Sequence, residues 1–456
     1  MADEFHWYLD RLGDYHDRVA LVCGGDEYTY GQISQQVGIY SEIIKNDFKP
    51  GSVVAILSDY SFHSIALFLS LLQHECIIVP VTTSIEDEIQ ERMTEAFVDV
   101  QIKLEGHNHY SPAFLSSGIE KHDLITDIVN KNHAGLILFS SGSTGKAKAM
   151  IHDLDVLCSV YESKKPKKLS MMIFLMFDHI GGLNTLLNCM AMGAKMVIPS
   201  SREPSEVGAL IEQNNVRILP ASPTFLNLLL MSSTHQNYDL SSLRMITYGT
   251  ETMPESLLLR LKKAFPKVRF LQTFGTSETG IAQTSSKSSE STYMKIDDPN
   301  LEYKIVENEL WLKSKTQISG YLNASMSAFT EDGWFMTGDL VETTEDGYIK
   351  IIGRSKEMIN VGGEKVLPSE VESVLLQMEA ILDCMVYSQK NAIMGQSVAA
   401  DVVTKEILTN REAKKMVRKF CMGKIDTYKI PTTINVVTKT NFGSRFKKMR
   451  ITDVRR

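Results

Sequence analysis

Short apolar runs suited to buried strands alternate with helix-like segments along roughly the first 285 residues. The run VVAIL at 53–57 precedes the helix-like SFHSIALFLSLLQ at 61–73, and CIIVPV at 76–81 follows it. Such alternation predicts β-α-β units, which build mainly parallel sheets covered by helices. A chain of 456 residues also exceeds what one ordinary core accommodates, so at least two domains are expected. The sequence therefore predicts an α/β protein.

The pattern changes in the last third of the chain. Between about 295 and 352, short strands separated by turns predict a small β-rich subdomain. Residues 353–356 read GRSK, and the segment PSEVESVLLQM behind them predicts a helix in which Ser369 and Glu372 form a capping box. We therefore expect a large N-terminal domain of α/β sheets with helices over 1–352, which includes the β-rich subdomain at about 295–352. A small C-terminal α+β domain is expected over 357–456.

Composition narrows the function classes. The formal net charge is -7, which argues against nucleic acid as a partner because general nucleic-acid binders carry a basic surplus. Six scattered cysteines without a CxxC pair are typical of reduced cytosolic thiols. The longest apolar runs, at 65–72 and 171–177, are too short for a membrane span, and the first residues lack a signal-peptide pattern. These features predict a cytoplasmic protein with no membrane span.

The loop FSSGSTGKAKAM at 139–150 follows an apolar run and so lies at the carboxyl end of a predicted strand, where α/β sheets bind ligands. Gly142 and Gly145 let successive backbone N–H groups face an anion. The loop does not fit GxxxxGK(S/T), because only two residues separate the glycines and Ala147 follows Lys146. It is either a phosphate-binding loop of another class or a surface turn.

Four further segments occur in order behind this loop: YGTETMP at 248–254, QTFGTSETG at 272–280, TGDL at 337–340 and GRSKEMINVGGEKV at 353–366. Together with the loop, they resemble the motifs of the adenylate-forming enzymes, which comprise acyl- and aryl-CoA synthetases, adenylation domains of peptide synthetases, and luciferases. The resemblance extends over nearly the whole chain. The loop departs from the family pattern at Ala147 and Ala149, where the family has proline and glycine.

The resemblance implies binding sites for ATP, Mg²⁺ and the thiol of CoA or phosphopantetheine. Glu278 and Thr144 are the expected metal ligands, and Glu278 is also an expected catalytic residue, since a carboxylate is a hard oxygen ligand for Mg²⁺. The expected cofactor-binding residues are Ser140, Ser141, Gly142, Ser143, Thr144, Gly145, Lys146, Lys148, Gly249, Thr250, Glu251, Thr273, Phe274, Gly275, Thr276, Ser277, Asp339, Arg354, Gly362 and Gly363.

The family also implies a mobile C-terminal domain with a hinge and a catalytic lysine. The hinge segment is 353–356, with Lys356 as the hinge residue, and Gly362 and Gly363 would line the thiol tunnel. The family's lysine follows a glycine near the chain end, but here Ser444 follows Gly443. A shift of a few residues supplies Lys447 or Lys448 as the catalytic residue, and Lys447 is preferred because Arg450 follows three residues later, as in the family.

The segment FLMFDHIGGLNTLL at 174–187 resembles the family's acyl-pocket segment. The resemblance implies that Phe177, Asp178, His179, Gly181 and Gly182 form the substrate pocket, with His179 as a catalytic residue near the carboxylate. Amino-acid activators use a Phe-Asp pair here, and this chain has both patterns. The Gly-Gly directly after the histidine favours the acyl and aryl ligases, although a buried Asp178 that faced the pocket would favour an amino acid.

The function implied is that of an ATP-dependent acid-thiol ligase. It would convert a small organic acid into an acyl-AMP with release of pyrophosphate, and then transfer the acyl group to CoA or to an acyl or aryl carrier protein. Two alternatives stay open: an amino-acid adenylation enzyme that loads a carrier protein, and a degenerate homologue that binds nucleotide without turnover. The sequence leaves the acid and the oligomeric state undetermined.

Overall fold

The structure is a computed structural model that describes residues 7–105, 109–115, 120–140, 146–443 and 445–450. The strands are, in chain order, β1 Val19–Cys23, β2 Asp26–Thr29, β3 Val53–Leu57, β4 Ile77–Val81, β5 Val100–Glu105, β6 His109–Phe114, β7 Gly135–Ser140, β8 Lys148–Asp153, β9 Ser170–Met172, β10 Lys195–Ile198, β11 Ile218–Ala221, β12 Met245–Tyr248, β13 Arg269–Gln272, β14 Phe274–Thr276, β15 Gly280–Ala282, β16 Thr284–Ser286, β17 Met294–Ile296, β18 Leu301–Val306, β19 Glu309–Ser314, β20 Gly320–Tyr321, β21 Phe335–Thr343, β22 Ile349–Arg354, β23 Ile359–Val361, β24 Glu364–Val366, β25 Ile381–Asn391, β26 Gly395–Thr404 and β27 Thr433–Val436.

The α-helices are α1 Trp7–Asp14, α2 Tyr30–Asp47, α3 Phe62–Gln73, α4 Glu86–Glu95, α5 Asp123–Asn130, α6 Leu154–Ser159, α7 Ile180–Met192, α8 Pro204–Asn214, α9 Pro223–Met231, α10 Thr234–Asn237, α11 Glu255–Ala264, α12 Pro368–Leu375 and α13 Asn410–Cys421. Two short 3-10 helices occupy Ser355–Glu357 and Thr427–Lys429.

Two sheets form the frame of the N-terminal domain. The first has the order β13-β12-β11-β9-β10-β1-β2 and is parallel except at β2, and the second has the order β20-β8-β7-β4-β3-β5-β6. A layer that contains α2, α3 and α7 packs between the sheets, in a core that both sheets share. Further helices cover the outer faces, so helix and sheet layers alternate through the domain.

The apolar runs of the sequence produce this layering because both faces of the inner strands are buried. In β3, Val54 and Ile56 face the central helical layer, whereas Val53 and Ala55 face the outer layer with α4 and α5. Side chains that alternate between two buried faces must all be apolar, which is why VVAIL reads as a continuous run. The mixed α/β class predicted from the alternation is confirmed.

A third sheet of short antiparallel strands, with the order β16-β17-β22-β21-β19-β18, lies where the sequence predicts a β-rich subdomain. The last sheet, β24-β23-β26-β25 with β27 beside β26, packs against α12 and α13 and has a core of its own. It follows directly after the predicted hinge.

The predicted capping box at Ser369 is wrong. Helix α12 begins at Pro368, with Leu367 as its N-cap and without a side-chain cap. The Ser369 hydroxyl instead donates to the carbonyl of Ile352, and Glu372 is buried among cations of the chain end. Proline supplies the preset φ angle that a first helical turn needs, so no polar N-cap is required.

Candidate active site

Three neighbouring parallel strands of the first sheet end at the same edge, at Ala221, Tyr248 and Gln272. The loops behind two of them touch, since a Cβ on Gly249 would lie 2.7 Å from Thr273 Oγ1 and 2.8 Å from the Thr273 carbonyl oxygen. Thr250 follows with a left-handed φ of 72°. The predicted residues Gly249, Thr250 and Thr273 therefore meet at the carboxyl edge of the sheet, where α/β proteins bind ligands.

The phosphate-loop residues Ser141, Gly142, Ser143, Thr144 and Gly145 lie outside the described residues. The two ends of the loop are described: Ser140 ends β7 and pairs with Lys148 at the start of β8. Lys146 lies exposed just before β8. This pairing places both ends of the loop at one edge of the second sheet.

Lys148 and Glu278 both contact the side chain of Tyr321. The Lys148 Nζ lies 4.9 Å from the ring centroid of Tyr321, and the Tyr321 hydroxyl donates to Glu278 Oε1 at 3.0 Å. Burial, the Glu278 charge and this hydrogen bond raise the pKa of Tyr321. The ring positions a cation of the predicted phosphate loop close to the predicted metal ligand.

The segment QTFGTSETG forms a tight hairpin from β14 to β15, with Ser277 and Glu278 in its turn. A Cβ on Gly275 would lie 2.4 Å from the carbonyl oxygen of Gly280, so the hairpin requires glycine at this position. The Thr276 hydroxyl accepts a hydrogen bond from the Thr279 amide at 3.1 Å. Phe274 packs against the core of the third sheet.

Asp339 and Arg354 form a pair on adjacent strands, β21 and β22. The Arg354 Nε donates to Asp339 Oδ1 at 2.9 Å. Desolvation raises the pKa of the buried Asp339, and the nearby charges of Arg354 and Lys447 act against that rise. The carboxylate is 5% exposed whereas the guanidinium side chain is 46% exposed, so the arginine fixes the acid and still faces the cleft.

Lys447 lies in the same cleft as this pair. Its side chain is exposed at the cleft surface, but the enclosing walls and the Arg354 charge lower its pKa, against the opposing effect of Glu251, Glu357 and Asp339. The chain end thus places an ammonium group beside the predicted nucleotide residues.

Lys448 points in another direction from Lys447. Its Nζ donates to the Cys384 carbonyl at 2.6 Å and to Glu372 Oε2 at 3.3 Å, and Asp383 lies 3.8 Å away. These carboxylates raise its pKa although burial acts to lower it. The Lys448 ammonium belongs to an ion cluster of the C-terminal domain, and its expected alternative role as the catalytic lysine stays a prediction.

The segment 445–450 is held against the N-terminal domain by contacts that the motifs did not indicate. Glu251 accepts hydrogen bonds from the amides of Thr224 and Lys448, both at 3.0 Å. Ser222 Oγ donates to the Phe446 carbonyl at 2.7 Å. Glu251 is among the predicted cofactor-binding residues, and in this structure its carboxylate joins the two domains.

Phe446 anchors this segment. Its ring lies 5.6 Å from Phe174 and 5.5 Å from Phe225, and its φ of 50° is left-handed. Non-glycine residues adopt this region at a cost of roughly 1–2 kcal/mol. The sequence contains a sign of this contact, because Phe446 stands directly before Lys447, where the family has a glycine before its lysine.

The predicted pocket segment is divided between site and core. Asp178 is buried and forms ion pairs with Arg92 at 3.4 Å and Arg445 at 3.1 Å. Phe177 is fully buried and packs in the core against Tyr60 and Phe68. The sequence does not indicate either ion pair, because Arg92 and Arg445 lie 86 and 267 residues from Asp178 along the chain.

His179 caps α7, since its Nδ1 accepts a hydrogen bond from the Gly181 amide at 3.0 Å. Burial, followed by the Arg445 charge, lowers its pKa to about 4, so the imidazole is neutral at physiological pH. A Cβ on Gly182 would lie 2.2 Å from the Met176 carbonyl oxygen. The two glycines therefore allow the start of α7 to pack closely on the preceding loop.

The predicted hinge and tunnel residues lie on the surface in this domain arrangement. Lys356 is exposed in the 3-10 helix Ser355–Glu357. Gly362 and Gly363 form the exposed turn between β23 and β24, with φ angles of 61° and 99°. Both angles lie in the region that favours glycine.

Family profiles match most of the chain. Residues 10–322 match the AMP-binding enzymes, and residues 370–442 match the AMP-binding enzyme C-terminal domain. The protein therefore belongs to the AMP-binding enzyme family, and the resemblance to adenylate-forming enzymes is confirmed.

Curated relatives include a probable CoA ligase from Humulus lupulus, 30% identical over 306 residues that span 61% of this chain and 55% of the relative. A 2-succinylbenzoate–CoA ligase from Bacillus cytotoxicus is 24% identical over 460 residues, with 94% of each chain aligned. Among solved structures, an anthranilate CoA ligase in complex with anthranoyl-AMP superposes with a TM-score of 0.79 at 20% identity, over 97% of this chain and 95% of the other. That structural likeness establishes the fold.

None of the helices in the described parts of the chain combines the length and the apolar character that a membrane crossing requires.

Proposed function

We propose that this protein is an ATP-dependent acid-thiol ligase, which forms an acyl-AMP from a small organic acid and then transfers the acyl group to CoA. The observation that carries the proposal is the position of Lys447 beside the Asp339–Arg354 pair, at the carboxyl edge of the parallel strands. Relatives named as CoA ligases support CoA as the acceptor.

In the first half-reaction, an oxygen of the substrate carboxylate attacks the α-phosphorus of ATP, and pyrophosphate leaves. Asp339 accepts hydrogen bonds from the ribose hydroxyls, and Arg354 fixes that carboxylate from one side. Lys447 stabilises the negative charge that develops between the carboxylate and the α-phosphoryl group. Burial and the Arg354 charge lower the pKa of Lys447, and the carboxylates of Glu251, Glu357 and Asp339 act against this change.

Phosphoryl transfer depends on positioning and charge neutralisation, and Lys148 is suited to this role near the leaving group. Glu278 offers a carboxylate oxygen of the kind that Mg²⁺ prefers. A bound Mg²⁺ would be held by Glu278, with Thr144 as the second expected ligand, and would neutralise phosphate charge.

In the second half-reaction, the thiolate of CoA attacks the acyl carbon, and AMP leaves. We propose that the C-terminal domain rotates about Lys356, which withdraws Lys447 and brings Gly362 and Gly363 to the cleft. The exposed position of both glycines in the present arrangement is consistent with a first-step orientation. Such alternation lets one cleft serve two reactions.

The charge around Asp178 favours an organic acid over an amino acid. In an amino-acid activator this carboxylate would bind the substrate ammonium, but here Arg92 and Arg445 already neutralise it. The position of Lys447 also disfavours a degenerate homologue. A strict alignment places Ser444 where the family has its lysine, and Lys447, three positions later, supplies the missing ammonium group.

Pyrophosphate exchange with panels of aryl acids, acyl acids and amino acids tests the proposal. We expect exchange with at least one simple acid, and a loss of about 10²–10³-fold in Lys447→Ala, the magnitude typical of losing one charge-stabilising group. Lys405→Ala is the matched control, since this exposed lysine lies in the same domain and pairs with the exposed Glu379.

Exchange only with amino acids, or with no acid, would refute the proposed reaction. Equal rates in Lys447→Ala and wild type would refute the proposed role of Lys447. Free CoA and a phosphopantetheinylated carrier protein are then compared as acceptors by loss of free thiol. Consumption of the carrier thiol alone would exclude CoA as the acceptor.

A further inference from the structure

Basic residues mark the amino ends of the parallel strands in the first sheet, on the side opposite the candidate active site. They precede or begin successive strands: Arg18 before β1, Lys168 before β9, Lys195 in β10, Arg217 before β11, Arg244 before β12 and Arg269 in β13. Backbone hydrogen bonds place neighbouring basic residues side by side. The Arg244 amide donates to the Arg217 carbonyl and the Arg269 amide donates to the Arg244 carbonyl, both at 2.9 Å. Adjacent strands lie about 4.8 Å apart, so the cations share one edge.

An open cavity of about 790 Å³ lies at this edge. We call it the distal basic cavity, and its basic lining consists of Arg18, Lys168, Lys195, Arg217 and Arg244. The lining contains five basic and two acidic residues, a formal surplus of three positive charges, in a chain whose net charge is -7. Positive charge is therefore concentrated at this cavity against the overall balance of the protein.

The cations of the distal basic cavity are largely without acidic partners. Among the described residues, Arg18, Lys168, Arg217 and Arg244 form no ion pair, and Arg18 lies over the Tyr15 ring at 4.4 Å.

The two acids of the lining are already engaged with backbone amides. Glu212 accepts a hydrogen bond from the amide of Asp239 at 2.8 Å, and Asp239 accepts one from the amide of Ser241 at 2.9 Å. Arg244 Nη1 already donates to the carbonyls of Ser241 and Leu243, at 2.7 and 3.3 Å, and Lys195 lies 3.8 Å from Glu27. Arg18, Lys168 and Arg217 are therefore the lining cations whose charge an external anion would meet first.

We propose that the distal basic cavity binds a small soluble polyanion with two or more phosphate groups. Guanidinium groups match phosphate oxygens with paired N–H donors, and several cations around one concavity suit clustered charges better than a single carboxylate. Asn214 and Ser242 add polar groups to the lining. Strand β11 runs from this edge to the cleft, and its four residues span about 13 Å. The ligand would therefore be distinct from the substrates, which bind at the opposite edge.

The shape of the cavity favours a small ligand over a membrane surface. A flat bilayer cannot contact the floor of a concave site, and none of the exposed large apolar side chains in the described residues lines it. Membrane-binding surfaces combine basic residues with apolar side chains that insert. Anionic vesicles are therefore the alternative that the experiment must separate from a soluble polyphosphate.

Inositol hexakisphosphate is a suitable probe, because it is compact, rich in phosphate and not a nucleotide. Calorimetric titration is performed on the full chain with saturating AMP, which occupies the proposed nucleotide cleft. We expect one site per chain and an affinity at least tenfold weaker in Arg217→Ser/Arg244→Ser. The control is Lys414→Ser/Lys415→Ser, which removes two exposed charges from α13 and is expected to bind as the wild type does.

Equal affinities in both double variants, or no binding to the wild type, would overturn the proposal. Sedimentation with vesicles containing anionic lipid would overturn it as well, if only vesicles bound and Arg217→Ser/Arg244→Ser abolished that binding. Pyrophosphate exchange without the probe is expected to be unchanged in Arg217→Ser/Arg244→Ser, so a failure here is separable from a failure of the proposed reaction.

Discussion

Replacement of Lys448 by methionine should destabilise the C-terminal domain strongly. The ammonium lies between Glu372 and Asp383 with side-chain exposures of 9%, 4% and 8%, and it donates to the Cys384 carbonyl at 2.6 Å. Methionine has a similar length but no charge. The substitution leaves Glu357 and Glu372 to share Arg450 and removes the lysine that lies beside Asp383, so buried negative charge is no longer balanced.

Loss of one partner from a buried ion pair typically costs about 3–5 kcal/mol in the free energy of unfolding. With a urea dependence of about 1–3 kcal/mol per M, the unfolding midpoint should fall by at least about 1 M. The change should be local, so hydrogen exchange at the Val386 amide, which donates to Glu372 Oε1 at 2.9 Å, should accelerate. Helices of the N-terminal domain should keep their protection.

Lys447→Met is the matched control, because it removes the same group one residue earlier. Lys447 is exposed and faces the cation Arg354, so its removal should change the free energy of unfolding by no more than about 0.5 kcal/mol. Equal urea midpoints for Lys447→Met and Lys448→Met would refute the assignment of different roles to the two lysines.

Three further outcomes are expected. Paired cations lower the pKa of Glu372 in the folded protein below its ordinary 4.5. The contribution of Glu372 to stability is therefore complete above pH 4.5 and is lost as the pH falls below that value. Acid titrations followed by circular dichroism should show this loss in the wild type and not in Glu372→Gln. Gly182→Ala should lower the free energy of unfolding by about 1–3 kcal/mol, since its Cβ would meet the Met176 carbonyl oxygen at 2.2 Å; thermal denaturation measures this, and an unchanged melting temperature would contradict it. The His179 pKa of about 4 predicts that the pH profile of pyrophosphate exchange shows no inflection from this residue between pH 5 and 8, so a profile that changes there in His179→Gln would contradict a permanently neutral imidazole.

The layered architecture was predictable because strands buried on both faces leave unbroken apolar runs in the sequence. The alternation of VVAIL, SFHSIALFLSLLQ and CIIVPV therefore indicated β3, α3 and β4 within a residue or two.

The choice between Lys447 and Lys448 was not predictable from the sequence. Successive side chains of an extended segment point in opposite directions, so register alone decides which lysine faces the cleft. That register depends on Phe446, which packs against Phe174 and Phe225 of the other domain. A contact over more than 200 residues leaves no local pattern, and the pairing of Arg92 with Asp178 was hidden for the same reason.

Glu251 connects the occupancy of the cleft to the position of the C-terminal domain. One of its oxygens accepts from the Lys448 amide and the other from the Thr224 amide. In the proposed rotation, residues 445–450 would leave the cleft. The cleft would then lose the Lys447 ammonium and the Glu251 carboxylate would lose a donor, so the electrostatic potential there would become more negative. The proposed rotation would thus weaken the hold on pyrophosphate at the moment it admits the thiol. By thermodynamic reciprocity, pyrophosphate would in turn hold the domain in its first orientation.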